Sequence, residues 1–227
     1  MSGVWSLTVT APAADYQLLS QEELRVAAGL EPDDASQDVA LATRGLQVAE
    51  ALAGACGIAK AGYDPSLAPL RGAAPLTLKA ETLVQRFRIL NGYQGDKLLL
   101  ARWPALEVLS VTVDATELTV DDWVLDIPGS ALLRISGNST LCWPSGRVIV
   151  EYDAGYDIVP EGLKGYASRL VGLYQQTAGS DMSERRVEIP GVITVERWVD
   201  TASTDILVPE DIMVGLERDG YRRVLAW

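Results

Sequence analysis

The spacing of apolar residues changes along the chain, from a helical repeat to a strand-like alternation and back again. The first ten residues alternate weakly and could form an edge strand or an arm. Between Leu19 and Lys60, apolar side chains recur every three or four positions, as in amphipathic helices. Between residues 75 and 154, short segments alternate apolar and polar residues, as in strands covered on one face. After Pro160 the helical repeat returns. The pattern predicts an α+β protein, with an antiparallel β domain inserted into a small helical bundle.

Two helices are predicted before the β domain. Ser20 and Glu23 have the spacing of a capping box, and Gly29 suits the position just after a helix. Asp34 begins a second sequence with capping-box spacing, ahead of a long alanine-rich helix predicted over residues 37–60. The first helix is therefore expected to be short and the second to span several turns.

The long helix carries apolar residues along two sides. A helix of this kind packs against two neighbours, one of which can belong to another subunit. The residues that we assign to this subunit interface are Val39, Leu41, Leu46, Val48 and Leu52.

Changes in composition suggest where the domains begin and end. A linker rich in Pro and Gly separates the first helices from the β domain, which is predicted over residues 75–154. The helical domain comprises residues 13–72 together with 156–180. Residues 181–227 are predicted as an extended arm that ends in a helix beginning at Pro209. That helix is too short to be stable alone, so its apolar residues need a partner surface, either another protein or, alternatively, its own domain.

The chain is acidic, with 31 acidic and 19 basic residues and a net charge of −12. Its first 40 residues hold seven acids against Arg25 alone. This charge repels phosphate, which argues against tight binding of nucleic acid but not against its passage nearby. The chain has no apolar run of the roughly 20 residues that a membrane helix needs, and its start does not resemble a signal peptide. We expect a soluble protein made in the cytoplasm, with no membrane partner.

The residue types also limit the chemistry. The sequence has no histidine, which excludes Ser-His-Asp and Cys-His catalysis. Cys56 and Cys142 are too few for a zinc site or a disulfide framework. We expect no catalytic residues, no cofactor and no metal. Two alternatives stay open: a carbohydrate- or receptor-binding accessory protein that uses its tryptophans, and a glycan hydrolase with a facing pair of carboxylates.

Several segments resemble the head–tail connector (adaptor, or head-completion) proteins of long-tailed phages, prophages and gene transfer agents. The most specific are the strand entry at Trp103-Pro104 and the segment "VEYDAGYDIVPEGLK", which match in order and spacing. The resemblance extends from about Ser20 to the end and includes "VPEDIMVGLERDGYRRV". At Asp114-Ala115 the family usually has an Asp-Gly turn, so the type of this turn stays open.

This resemblance implies a structural protein of the virion, located at the head–tail junction. It implies a ring, expected to be twelvefold, that docks on the portal protein and joins the capsid to a downstream neck, stopper or tail protein. DNA would pass through the ring without specific binding, and acidic residues would line the channel. The lumen-facing candidates are Glu22, Glu23, Asp33 and Asp34. The portal-docking candidates are Val208, Pro209, Ile212, Met213, Leu216, Tyr221, Arg222, Arg223, Leu225 and Trp227.

Overall fold

A computed structural model of the chain describes residues 3–63, 73–91, 95–127, 130–179, 186–189, 193–196 and 208–222. Helices and strands both contribute substantially to this part, so the predicted α+β class is confirmed. The described helices are α1 (Gln21–Ala27), α2 (Asp38–Ala55), α3 (Glu161–Gly179) and α4 (Glu210–Arg218). None of these helices is long and apolar enough to cross a membrane.

The strands are arranged in three sheets. In chain order they are β1 (Gly3–Ala11), β2 (Gly62–Tyr63), β3 (Glu81–Ile89), β4 (Lys97–Leu99), β5 (Ala105–Val113), β6 (Thr116–Glu117), β7 (Trp123–Asp126), β8 (Ala131–Ser136), β9 (Ser139–Leu141), β10 (Gly146–Ala154), β11 (Arg186–Ile189) and β12 (Ile193–Glu196). A large sheet has the strand order β2-β1-β3-β10-β5-β6, and a smaller one has the order β4-β8-β7 with β9 paired to β8. β11 and β12 form a separate hairpin. Among the strands that the structure describes, every pairing is antiparallel except that of β1 with β2.

The two larger sheets enclose one hydrophobic core, which we call the sheet core. Strand β10 shows why it forms: Val148, Val150 and Tyr152 are buried, and the residues between them face outward. The smaller sheet contributes Leu98 and Leu132 to the same core. Burial of these alternating positions is the source of the two-residue period in the sequence.

The four helices share a second core, the helical core. It includes Leu24 of α1, Leu52 of α2 and Leu170 of α3. Leu78 and Trp103 also belong to it, although they lie inside the predicted β domain. Conversely, β1 precedes the helices but pairs with β3 in the large sheet. The two units therefore interleave along the chain more than we predicted, and independent folding of residues 75–154 stays a prediction.

The ends of the first two helices follow from local chemistry. The Ser20 hydroxyl accepts a hydrogen bond from the Glu23 backbone N–H (3.2 Å), and the Glu23 carboxylate accepts one from the Ser20 backbone N–H (2.6 Å), which confirms the first capping box. The second predicted capping box, at Asp34, is wrong. The Asp34 carboxylate instead accepts a hydrogen bond from the Ser36 backbone N–H (2.9 Å) in a turn before α2. α2 also ends earlier than predicted, since Gly57 adopts φ +81° immediately after its last turn.

The turn between β5 and β6 keeps the conformation of an Asp-Gly hairpin without the glycine. Asp114 and Ala115 both have positive φ, +45° and +71°. Such a turn matches the twist of the two strands, and glycine favours it because other residues are strained there. The Asp114 carboxylate accepts a hydrogen bond from the Arg147 backbone N–H (2.8 Å), which ties the turn to β10.

Candidate interaction surfaces

The terminal helix α4, predicted to dock on a portal, packs on the helical core of its own chain. Ile212 and Leu216 have 0% exposure and belong to the same core as Leu163 and Leu170 of α3. Of the two possible partner surfaces, the chain's own domain therefore covers these two side chains, and their assignment as portal-docking residues is corrected. Their amphipathic spacing signalled burial, but a sequence pattern does not say which surface covers a helix.

Polar contacts also attach α4 to α3. Arg169 forms an ion pair with Asp211 at the start of α4. The Tyr166 hydroxyl donates to the Asp219 carboxylate (2.7 Å), and the Tyr166 and Tyr221 rings meet edge to face at 6.5 Å between centroids. These contacts fix both ends of the helix on its own domain.

The other portal-docking candidates have mixed environments. Val208, Pro209, Met213, Tyr221 and Arg222 are half-buried. The face of α4 that points away from the core carries Val214, which is 60% exposed. The exposed residues one helical turn away from it are Glu210, Asp211, Glu217 and Arg218. The remaining candidates, Arg223, Leu225 and Trp227, lie outside the described residues.

The predicted subunit interface on α2 divides into two sets. Leu41, Val48 and Leu52 are at most 1% exposed and form part of the helical core, so the prediction is corrected for these three residues. Val39 and Leu46 are 85% and 44% exposed, respectively, on the outer side of the helix. Only these two of the five assigned residues are accessible to another subunit in this fold.

The four lumen candidates lie near one another, around α1 and the turn before α2, but their surroundings differ. Glu22 and Asp33 are exposed. Glu23 accepts hydrogen bonds from Lys164 of α3 (2.8 Å) and the Ser20 backbone, and these hold its pKa below the usual range. Hydrogen bonds from Ser36 likewise lower the pKa of Asp34. Glu23 and Asp34 thus have structural contacts of their own, and the position of any of the four in a channel stays a prediction.

A buried ion pair that the sequence did not reveal lies between the two cores. Arg102 and Glu81 are each 3% exposed, with their charged atoms 3.4 Å apart. Arg102 also donates to the Thr77 carbonyl (3.1 Å). Burial raises the pKa of Glu81, although the Arg102 charge counteracts the shift. Because Arg102 is followed directly by Trp103 of the helical core, this pair lies where the sheet and the helices meet.

The described residues place no group of metal-binding side chains together. Burial raises the pKa of the Cys56 thiol to about 12, whereas Cys142 is exposed. Trp143 is 1% exposed, Trp103 is 9% exposed and Trp123 is half-buried. The three tryptophans with described side chains therefore contribute mainly to packing.

No protein-family model matches the sequence, and no curated protein matches it. Solved structures do match. A chain in the structure of the virion of a native gene transfer agent (GTA) particle is 18% identical, with a TM-score of 0.55, and the match covers 97% of this chain and 98% of that chain. A chain in the neck of an empty GTA particle, computed with C6 symmetry, is 18% identical over the same shares, with a TM-score of 0.52. The protein thus shares its fold with these two chains along nearly its whole length.

Proposed function

We propose that the protein is a structural component of the neck of a phage-like particle, at the junction between head and tail. The observation that carries this proposal is the fold match over 97% of this chain and 98% of a chain in a GTA virion. A match over nearly the whole of both chains is more informative than a shared single domain, because it includes helices, both larger sheets and the terminal helix. The second neighbour, from the neck of a GTA particle, supports the same location.

Within the neck, the protein is proposed to form a ring, twelvefold in accordance with the sequence resemblance. The rotational symmetry applied to the neck of the neighbouring particle supports a ring arrangement. Each copy would contact the portal on one side and a stopper or tail protein on the other, with DNA passing through the opening. The role is structural rather than catalytic.

The C-terminal segment is proposed to contact the portal through the outer face of α4 and the residues that follow it. Ile212 and Leu216 hold α4 on its own domain, which leaves Val214 as the most exposed apolar side chain of this helix. An exposed valine on a helix that is anchored at both ends is a suitable contact for a groove in a larger partner.

Portal rings from the same particle, mixed with the purified chain, provide the test. We expect co-elution with the portal and a ring visible by negative-stain microscopy. Val214→Arg should weaken binding, while Val124→Arg, at a 45% exposed valine of β7, serves as the matched control and should bind normally. Failure of the unaltered chain to bind would contradict the proposal. Normal binding by Val214→Arg would instead reject α4 as the docking element.

A further inference from the structure

Three arginines occupy one end of the outer face of the large sheet. Arg86 and Arg88 are two residues apart on β3, so they point to the same face. Arg147 of β10 is the direct cross-strand partner of Arg88. The residues next to them along the strands, Phe87 and Val148, are buried in the sheet core, which places the three guanidinium groups on the opposite, outer side.

These arginines line an open groove of about 930 Å³. Leu90, which is 52% exposed, contributes an apolar surface beside Arg88. We call this surface, made of Arg86, Arg88, Leu90 and Arg147, the arginine groove. It combines positive charge with an accessible aliphatic side chain.

The arginine groove keeps an excess of positive charge within the described part of the chain. Arg86 donates to the Thr8 hydroxyl (3.0 Å), but none of the three arginines forms an ion pair there. Asp114 also lines the groove, and its carboxylate accepts a hydrogen bond from the backbone N–H of Arg147 (2.8 Å). Like charges directly opposite one another on neighbouring strands are unfavourable. In a protein with a net charge of −12, this concentration of positive charge points to an anionic partner.

A complementary surface exists on the same chain, at the turn that leads into α2. We call residues 31–39 the acidic turn. Glu31 and Asp33 are exposed, and Val39 is 85% exposed in the first turn of α2. The adjacent cation, Arg25, is already paired with Asp38 (2.6 Å). Within the described residues, Glu31 and Asp33 form no ion pair. The acidic turn therefore combines these two carboxylates with an exposed aliphatic side chain, the counterpart of the arginine groove.

We infer that the arginine groove of one copy binds the acidic turn of the next copy, with Val39 beside Leu90 and the carboxylates of Glu31 and Asp33 facing Arg88 and Arg147. Two different surfaces in contact make a head-to-tail interface, which is the type that closes rings. A second copy fits better than nucleic acid, because the net charge of −12 repels phosphate from the rest of the molecule. The inference rests on the proposed ring, and it assigns Asp33 to a subunit contact instead of the channel.

Charge reversal tests this contact without the portal. Variant P carries Arg88→Glu and Arg147→Glu, variant N carries Glu31→Arg and Asp33→Arg, and a combined variant carries all four changes and keeps the original net charge. Circular dichroism verifies the folding of each. Self-association is followed by sedimentation velocity at low and high salt, and by the concentration dependence of the arginine Nε–H signals in NMR spectra, which detects weak contacts.

We expect the unaltered chain to associate in a salt-sensitive way, and P or N alone to associate at least roughly tenfold more weakly because like charges then face each other. An equimolar mixture of P and N, and the combined variant alone, should regain association. The inferred interface would be overturned if the arginine signals of the unaltered chain did not change with concentration. It would also be overturned if the variants associated as strongly as the unaltered chain. A different result would favour a phosphate site over the inferred interface: the unaltered chain binds a duplex oligonucleotide, and variant P loses this binding but still self-associates. None of these results depends on portal binding, so the neck assignment is judged separately.

Discussion

The sheet core and the helical core are held together by different kinds of interaction. In the large sheet, main-chain ladders pair β3 along its whole length with β10 and along nearly its whole length with β1. In the helical unit, the polar links between elements come from side chains: Glu23 with Lys164 between α1 and α3 (2.8 Å), and Arg169 with Asp211 between α3 and α4. The helical unit therefore depends on particular side chains, including those of α4, in a way that the sheet does not.

Because of this difference, the effects of substitutions on the stability of the fold can be separated from their effects on assembly. α4 has a buried side that belongs to the helical core and an outer side that is free for a partner. A change on the buried side should alter the fold, whereas a change on the outer side should affect only the proposed contact with the portal. Truncation of the C-terminal segment would remove both sides of α4, so a loss of portal binding would not show whether the fold or the contact surface was lost. Single substitutions on one side of the helix distinguish the two.

The largest effect is expected at the junction of the two cores. Arg102→Met would leave the buried Glu81 without its cation and should lower the free energy of unfolding by about 4 kcal/mol. Because the pair lies between the cores, hydrogen exchange should increase in both units. The double variant Glu81→Gln with Arg102→Met is the control and should recover part of the loss. Increased exchange in only one unit would show that the junction does not couple the cores.

Removal of apolar volume from α4 should act on the helical unit alone. Ile212→Ala leaves a cavity in the helical core and should cost about 3 kcal/mol in chemical denaturation. Hydrogen exchange should increase in the helices and stay unchanged in β3 and β10. Val214→Ala, at the exposed position of the same helix, should change stability by no more than about 0.5 kcal/mol. Equal effects of the two substitutions would contradict the packing of α4 on its own domain.

Acid should weaken the helical unit before the sheet. Hydrogen bonds and charges hold the pKa values of Glu23, Asp38 and Asp219 below their usual range, so these carboxylates stabilise the fold above the unfolded pKa of about 4. That contribution is lost as the pH falls through their folded pKa values. Burial raises the pKa of Glu81, so its ionised carboxylate destabilises the fold at pH values above that pKa. This cost disappears when acid protonates the carboxylate.

Hydrogen exchange between pH 5 and pH 3 checks this prediction region by region. The helices should lose protection first, and Glu23→Gln should reduce the pH dependence of their stability. Earlier loss of protection in the large sheet would show that the carboxylate contacts of the helical unit are not decisive.

The smallest effect is expected at the turn between β5 and β6. Ala115 has φ +71°, where a Cβ atom is strained. Ala115→Gly relieves this strain but increases the freedom of the unfolded chain, so the net stabilisation should be below about 1 kcal/mol. A small rise in the melting temperature is the expected result. A lower melting temperature would show that the turn does not adopt this conformation.

Local signals in the sequence predicted local structure well. The capping box at Ser20 and Glu23 is confirmed because both partners lie within one turn of the chain. Asp34 had the same spacing, but its carboxylate accepts a hydrogen bond from the backbone of Ser36, only two residues away. Such a turn competes with helix capping, and spacing alone does not reveal which of the two forms. The apolar residues of α4 indicated that this helix needs a partner surface, but not that α3 of the same chain supplies it.

The charged surfaces were harder to predict. Arg88 and Arg147 are far apart in sequence, and only the β3–β10 register brings them together. The Glu81–Arg102 pair depends in the same way on the meeting of two cores. In both cases the sequence contains the residues, but the strand pairing and the domain packing that combine them are long-range properties.

Deletion of the gene for this chain in the strain that produces the particles, followed by electron microscopy, shows whether the protein acts at the head–tail junction. If the chain joins head to tail as proposed, heads and tails that assemble without it should not combine. We predict DNA-filled heads and free tails in place of complete particles, and recovery of tailed particles when the unaltered chain is supplied. Normal numbers of tailed particles in the deletion strain would contradict it.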